Sequence, residues 1–127
     1  MHNILTIILA ATTFWACASP CNSMDRGLTN EYKIALASTI AKQMHASSVD
    51  ILQLFRFGTW SIIYVDTHVA DEAYLFYAYD PLTSHYITLW GGGATTNEEQ
   101  EIKAWTIKNV PGIPLQLASC FAQYVAR

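Results

Sequence analysis

Basic side chains are scarce in this chain of 127 residues. Seven Lys and Arg stand against ten Asp and Glu, so the net charge is −3 when histidine is neutral. The basic residues form no cluster along the sequence. Because a nucleic-acid partner is held by a basic patch or stripe, this composition argues against that class of partner.

The sequence also lacks the motifs of common active sites. There is no G-x-S-x-G pattern, and the run GGGA at residues 91–94 has neither the Lys nor the Ser or Thr of a phosphate-binding loop. His45 and His85 do not lie at metal-ligand spacing from another His or Cys. We therefore expect no catalytic residue, no metal and no cofactor, and we predict that the chain is not an enzyme.

The N-terminal apolar stretch is too short to cross a membrane. It runs from residue 4 to residue 15, about 15 residues with its flanks, whereas a span needs about 20. It ends in ACA at residues 16–18, whose alanines fit signal-peptidase cleavage before Ser19. Residues 1–18 are therefore predicted to be a cleavable signal. Residues 19–127 are predicted to be a single domain without a stable membrane anchor, in the periplasm or outside the cell.

Lipidation of the N-terminus is the alternative to cleavage after the alanine at position 18. Cys17 and Cys21 both lie close to the apolar stretch, and a lipid-modified cysteine would become the mature N-terminus. The bulky residues Phe14 and Trp15 before Cys17, and Pro20 directly before Cys21, argue against this processing.

The three cysteines predict one disulfide. If Cys17 leaves with the signal, Cys21 and Cys120 form the only possible pair, and an oxidising compartment permits the bond. A bridge closing so long a loop contributes about 2 to 4 kcal/mol to the unfolding free energy. The alternative is that Cys120 is a buried free thiol.

The pattern of apolar residues predicts one helix followed by an antiparallel meander. Helical spacing covers residues 30–46, and strand-like segments rich in β-branched and aromatic residues follow it. The predicted strands are residues 49–57, 60–67, 73–79 and 85–90. Gly58-Thr59 suits a two-residue type II′ turn between the first two strands.

Two further helices are predicted after the meander. Thr95 and Glu98 have capping-box spacing at the start of the first, which stops before Pro111. Pro114 suits the first position of the second, whose inner stripe carries Cys120. The expected fold is α+β, a four-stranded antiparallel sheet with one N-terminal and two C-terminal helices packed on one face.

The most polar cluster lies between the second and third predicted strands. Asp66, His68, Asp71 and Glu72 could bind a metal or act in acid/base chemistry, but a loop gives them no periodicity that would make them converge. The alternatives are a solvated turn and a loop that contacts a partner protein.

Aromatic side chains are concentrated in the predicted strands. Alternation places Trp60 and Tyr64 on one face. If helices cover a single face, some Tyr and Trp side chains stay half exposed, and such residues are favoured at interface centres. Tyr74 and Tyr86 therefore join the candidate partner surface. A tyrosine-rich outer face that contacts only water is the alternative.

In layout the chain resembles small exported proteins that neutralise cell-wall enzymes. These are periplasmic immunity proteins against type VI secreted amidases, and periplasmic lysozyme inhibitors built of helices and a sheet. The resemblance covers residues 19–127 in outline. Those inhibitors carry a loop with a histidine between paired cysteines; His68 lies in a comparable hairpin loop, which lacks the flanking cysteines.

The resemblance implies a protein partner and an inhibitory or immunity function against a secreted effector or cell-wall hydrolase. The alternative is a domain that binds a small molecule or lipid, without catalysis, between sheet and helices. A homodimer that covers the sheet could coexist with either function.

Overall fold

The computed structural model describes residues 19–127. The predicted signal, its cleavage after Ala18 and Cys17 lie outside the described residues. Within the described range, no helix is long and apolar enough to cross a membrane.

Helix α1 spans Asn30–Gln43 and ends earlier than predicted. The Thr29 hydroxyl caps its start by accepting a hydrogen bond from the Tyr32 N–H. At its end His45 adopts the left-handed conformation, with φ at 54°. The Ala46 N–H then donates to the Ala41 carbonyl at 2.9 Å. This Schellman closure stops the helix before Ala46.

The four strands form the predicted antiparallel meander, in the order β1-β2-β3-β4. They are β1 Asp50–Phe57, β2 Trp60–Asp66, β3 Ala73–Tyr77 and β4 Thr88–Gly91. The first hairpin has the predicted two-residue turn, since Phe57 pairs with Trp60 and Gly58 has a φ of 60°.

Strand β1 contains a bulge that the sequence pattern did not predict. The register shifts between Ile51 and Gln53. Ile51 and Leu54 lie three residues apart, yet both are buried on the same side of the sheet. Without the extra residue, strict alternation would place them on opposite sides.

Strand β4 begins at Thr88 rather than at residue 85. Turns occupy the preceding segment, where the Asp80 carbonyl accepts hydrogen bonds from the backbone of Thr83 and Ser84. The Gln43 side chain also holds this segment against α1 by donating to the Ser84 carbonyl at 2.8 Å. The predicted start of the fourth strand was therefore three residues too early.

The two C-terminal helices are α2, Glu99–Asn109, and α3, Leu115–Val125. A 3-10 turn, Thr96–Glu98, precedes α2, and the Glu98 carboxylate accepts hydrogen bonds from the Thr95 N–H and hydroxyl. Helix α2 ends before Pro111, as predicted. Pro114 precedes α3 at the N-cap position, whereas the prediction made it the first helical residue, which is Leu115.

The disulfide joins Cys21 to Cys120, as the cysteine count predicts. Cys21 lies in a short 3-10 turn, Pro20–Ser23, which the bridge holds against α3. Next to it, the Ser19 hydroxyl donates to the Gln123 side chain at 2.8 Å.

The α+β class, the four-stranded sheet and the three helices are confirmed. The prediction that all three helices pack on one face of the sheet is wrong. Helix α1 covers one side of the sheet, and α2 and α3 cover the other. The α1 side includes Leu36, Ile40, Ile51, Leu54, Ile63, Val65, Leu75 and Tyr77. The α2/α3 side includes Phe55, Ile62, Tyr74, Phe76, Ile102, Leu117 and Phe121. The physical reason is β3, whose five residues are all buried and need cover on both faces.

Candidate functional site

The loop between β2 and β3, residues 67–72, is held at its base by His68. The His68 N–H donates to Asp66 Oδ1 at 2.8 Å, and the His68 backbone has a φ of 66°. The ring lies between two carboxylates. His68 Nε2 is 3.0 Å from Asp50 Oδ2, and Nδ1 is 3.7 Å from Asp66 Oδ2. These contacts fix the direction in which the loop leaves the sheet.

Asp50 and Asp66 lie directly opposite each other in the β1–β2 register. Like charges in that position repel. The His68 ring lies between the two carboxylates and separates them, although exposed contacts of this kind contribute only about 0 to 1 kcal/mol each. The contacts of His68 with Asp50 and Asp66 therefore order the loop more than they stabilise the whole fold.

Beyond His68 the loop points into solvent. Val69 is 87% exposed, the most exposed of the large hydrophobic residues in the described range. Asp71 and Glu72 follow it and are also exposed. The loop thus presents one apolar side chain beside two carboxylates.

A cleft of about 580 Å³ opens beside the loop. It is lined by Tyr64, Asp66, Ala70, Asp71, Glu72, Gly92 and Gly93. None of these side chains is basic, so three carboxylates face the cleft without a cation in its lining. A cationic group, such as a Lys or Arg side chain from another molecule, is the ligand that this charge favours.

Tyr64 forms one wall of the cleft and donates its hydroxyl to the Glu72 carboxylate. That hydrogen bond, together with burial, raises the pKa of Tyr64 to about 12. The phenol consequently stays protonated at neutral pH and holds Glu72 against the wall. The ring stacks on Tyr74, with centroids 4.1 Å apart, which fixes its orientation.

The structure brings together four of the six predicted partner-binding residues. Asp66, Asp71 and Glu72 line the cleft, and His68 contacts Asp66 at its rim.

Tyr74 and Tyr86 do not extend this surface. Tyr74 is only 6% exposed and packs edge-on against Phe121 beneath the cleft wall; burial raises the pKa of its phenol. Tyr86 lies on the α1 side, where it packs against Tyr77 and the His85 ring. Tyr74 thus supports the cleft from below, and Tyr86 belongs to another face.

Sequence reasoning missed three members of the site, Asp50, Tyr64 and Val69. Tyr64 could have been found, since alternation places it on the same face as Tyr74 one strand away. Asp50 reaches His68 only because of the bulge in β1, which shifts the strand by one residue. Nothing in the sequence indicated Val69 as a site residue except that it is an apolar residue in a polar loop.

Metal binding is one of the roles that the sequence left open for this loop. Within residues 19–127, no group of three or more His, Cys, Asp or Glu side chains has a geometry that could hold a metal ion. The His68 ring instead lies between the carboxylates on either side of it, at nitrogen–oxygen distances of 3.0 and 3.7 Å.

Comparison with known proteins gave no match to any protein-family model, curated protein or solved structure.

Proposed function

We propose that this chain is an exported binding protein that inhibits or neutralises another protein, a cell-wall-degrading effector or lysozyme-like enzyme. The observation that carries the proposal is the 67–72 loop, which is fixed at its base by His68 and leaves Val69 exposed beside an acidic cleft. The loop and cleft together form the contact surface.

Preorganisation supports a role in binding. Ordering a loop on association costs binding free energy, and a loop that is already ordered avoids much of that cost. The Asp66 hydrogen bond and the left-handed backbone of His68 provide this order in the free protein. Val69 can then enter an apolar pocket of the partner without rearrangement of the loop.

The charge of the cleft indicates the kind of surface it meets. Carboxylates of Asp66, Asp71 and Glu72 attract a basic patch and speed its association. An enzyme that acts on a negatively charged wall polymer presents basic side chains around its substrate site. A cationic side chain from that rim would enter the cleft, and Val69 would contact the adjacent surface.

The disulfide supports an extracytoplasmic location. Bridges such as Cys21–Cys120 form and persist in oxidising compartments, which include the periplasm and the medium outside the cell. Export to one of them would place this chain where secreted wall hydrolases act.

The test compares two charge-matched variants as affinity baits. Asp71→Asn/Glu72→Gln removes two carboxylates from the cleft, whereas Glu31→Gln/Glu101→Gln removes two exposed ones from α1 and α2. Periplasmic and secreted proteins are passed over wild type and both variants, and bound species are identified by mass spectrometry. A captured hydrolase is then purified, and its activity is measured against each bait.

We expect wild type and the helix variant to retain and inhibit one stoichiometric wall hydrolase, and the cleft variant to bind it at least about tenfold more weakly. Equal retention by both variants would remove the cleft from the interface. A hydrolase that is retained but keeps full activity, or a bait that captures no hydrolase, would contradict the inhibitory function.

A further inference from the structure

The two edges of the sheet differ in how they are protected. An edge strand exposes unpaired backbone groups, and natural sheets block such edges with charges, bulges or covering segments. The β1 edge is blocked in all three ways. It contains the bulge, it carries Asp50, and Asp25 pairs with Arg56 through two backbone hydrogen bonds of 2.8 Å.

The β4 edge has none of these protections. Strand β4 is last in the sheet order, so within the described part of the chain its outer side has no strand partner. No Asp, Glu, Lys or Arg occurs between Asp80 and Glu98. Ile87 and Leu89 are 44% and 41% exposed, and the adjoining glycines at 91–93 are exposed too. The edge is therefore open, uncharged and bordered by apolar side chains.

An uncharged edge is compatible with pairing to itself. In an antiparallel pair related by a two-fold axis, each segment faces the same segment of the other copy. Any charge near the axis would meet an identical charge, which is destabilising. Strand β4 brings no such charge, whereas β1 would bring Asp50 and Arg56.

The antiparallel arrangement also separates the two acidic clefts. Gly92 and Gly93 line the cleft just beyond the end of β4. With the axis near Leu89, the two Gly92 residues lie six positions apart along the paired strands, about 20 Å at about 3.4 Å per residue. Screening at physiological ionic strength acts over about 8 Å, so the clefts repel each other little.

We propose that the β4 edge docks a second copy of this chain, with the two β4 strands antiparallel and the two sheets continuous. Leu89 lies opposite Leu75 of β3 on the α1 side of the sheet, and the two Leu89 side chains meet near the axis. Because β4 has only four residues, few backbone hydrogen bonds form and the dimer depends on protein concentration. This association is independent of the proposed inhibitory function.

The test measures the dimer dissociation constant by sedimentation equilibrium of the disulfide-bonded protein. Leu89→Lys places a charge at the proposed axis. Leu52→Lys is the matched control, because Leu52 is 40% exposed on the opposite edge strand. We expect Leu89→Lys to raise the dimer Kd at least about tenfold and Leu52→Lys to change it by less than about twofold. Ile87→Lys is a second β4 variant, and circular dichroism checks that each variant is folded.

Three outcomes would overturn the proposal. The first is a wild type that stays monomeric up to the highest concentration measured. The second is a Leu52→Lys effect as large as that of Leu89→Lys. The third is a dimer that is strengthened by Asp71→Asn/Glu72→Gln, which would place the acidic clefts in the interface. If the wild type is monomeric and Leu89→Lys weakens capture of a hydrolase, the β4 edge binds that target rather than a second copy.

Discussion

The two sides of the sheet are packed by different means. On the α2/α3 side, the Phe121 ring contacts Phe76, Tyr74 and Trp90 edge-on at centroid distances of 5.0 to 5.8 Å. The disulfide also ties α3 to the N-terminal turn. On the α1 side, one helix packs through mostly aliphatic side chains, and Gln43 supplies its hydrogen bonds to the sheet and the turn before β4. This difference indicates that α1 is the element that opens first in local unfolding.

The largest effect should come from removing the bridge on the α2/α3 side. Cys21→Ser/Cys120→Ser is expected to lower the unfolding free energy by about 2 to 4 kcal/mol, measured by guanidinium denaturation. Amide hydrogen exchange should accelerate in α3 more than in α1, because we expect α1 to exchange through its own local opening even with the bridge intact. Equal acceleration in both helices would show that the two sides unfold as one unit.

A smaller effect is expected at the attachment of α1. Gln43 accepts a hydrogen bond from the Tyr77 hydroxyl at 2.6 Å, and Tyr77 is fully buried. Gln43→Ala leaves that hydroxyl unpaired, which costs about 1 to 3 kcal/mol. The double variant Gln43→Ala/Tyr77→Phe removes the orphaned group and should recover part of the loss. A Gln43→Ala protein as stable as wild type would mean that α1 does not depend on this contact.

The smallest effect concerns the pH at which tyrosines ionise. The pKa is raised for Tyr64 and Tyr74 on one side of the sheet and for Tyr77 on the other. Because these folded-state values exceed the ordinary value of 10, the stabilisation by the neutral phenols is complete below about pH 10 and is lost as the pH rises through 12 and beyond.

Absorbance titration can assign this high-pH ionisation. Of the three tyrosines whose pKa is raised, Tyr64 is the one for which a hydrogen bond, to Glu72, is the largest cause. Tyr64→Phe should remove one phenol from the fraction that ionises late, and Tyr79→Phe is the control for the loss of one phenol at an exposed position. An unchanged late fraction in Tyr64→Phe would mean that the contact with Glu72 does not form in solution.

Local signals in the sequence predicted much of the fold. Glycine preference located the turn at Gly58, cysteine arithmetic predicted the bridge, and the capping box of Thr95 and Glu98 marked the 3-10 turn that leads into α2. Each of these predictions depends on residues close together in the sequence or on the number of cysteines. The side on which α1 packs depends instead on which sheet face is left uncovered, and the consecutive apolar residues Ile62 and Ile63 in β2 were the available clue.

The candidate site was harder to predict because its members come from different strands. If the strands paired regularly from the turn at Gly58, Ile51 would lie opposite Asp66. Because of the bulge, Asp50 lies opposite Asp66 instead. No residue preference in β1 marks that bulge. The contribution of Asp50 therefore required the three-dimensional structure, whereas the loop from Asp66 to Glu72 could be recognised from its composition.

The Cys21–Cys120 bridge also has a consequence for survival among proteases. The bridged positions are 99 residues apart in sequence, so nearly all of the described chain lies within one covalent ring. A single backbone cut in the exposed loop, for example beside Val69, opens the ring but releases no fragment. The two pieces stay joined through sulfur, and the four strands remain in one molecule.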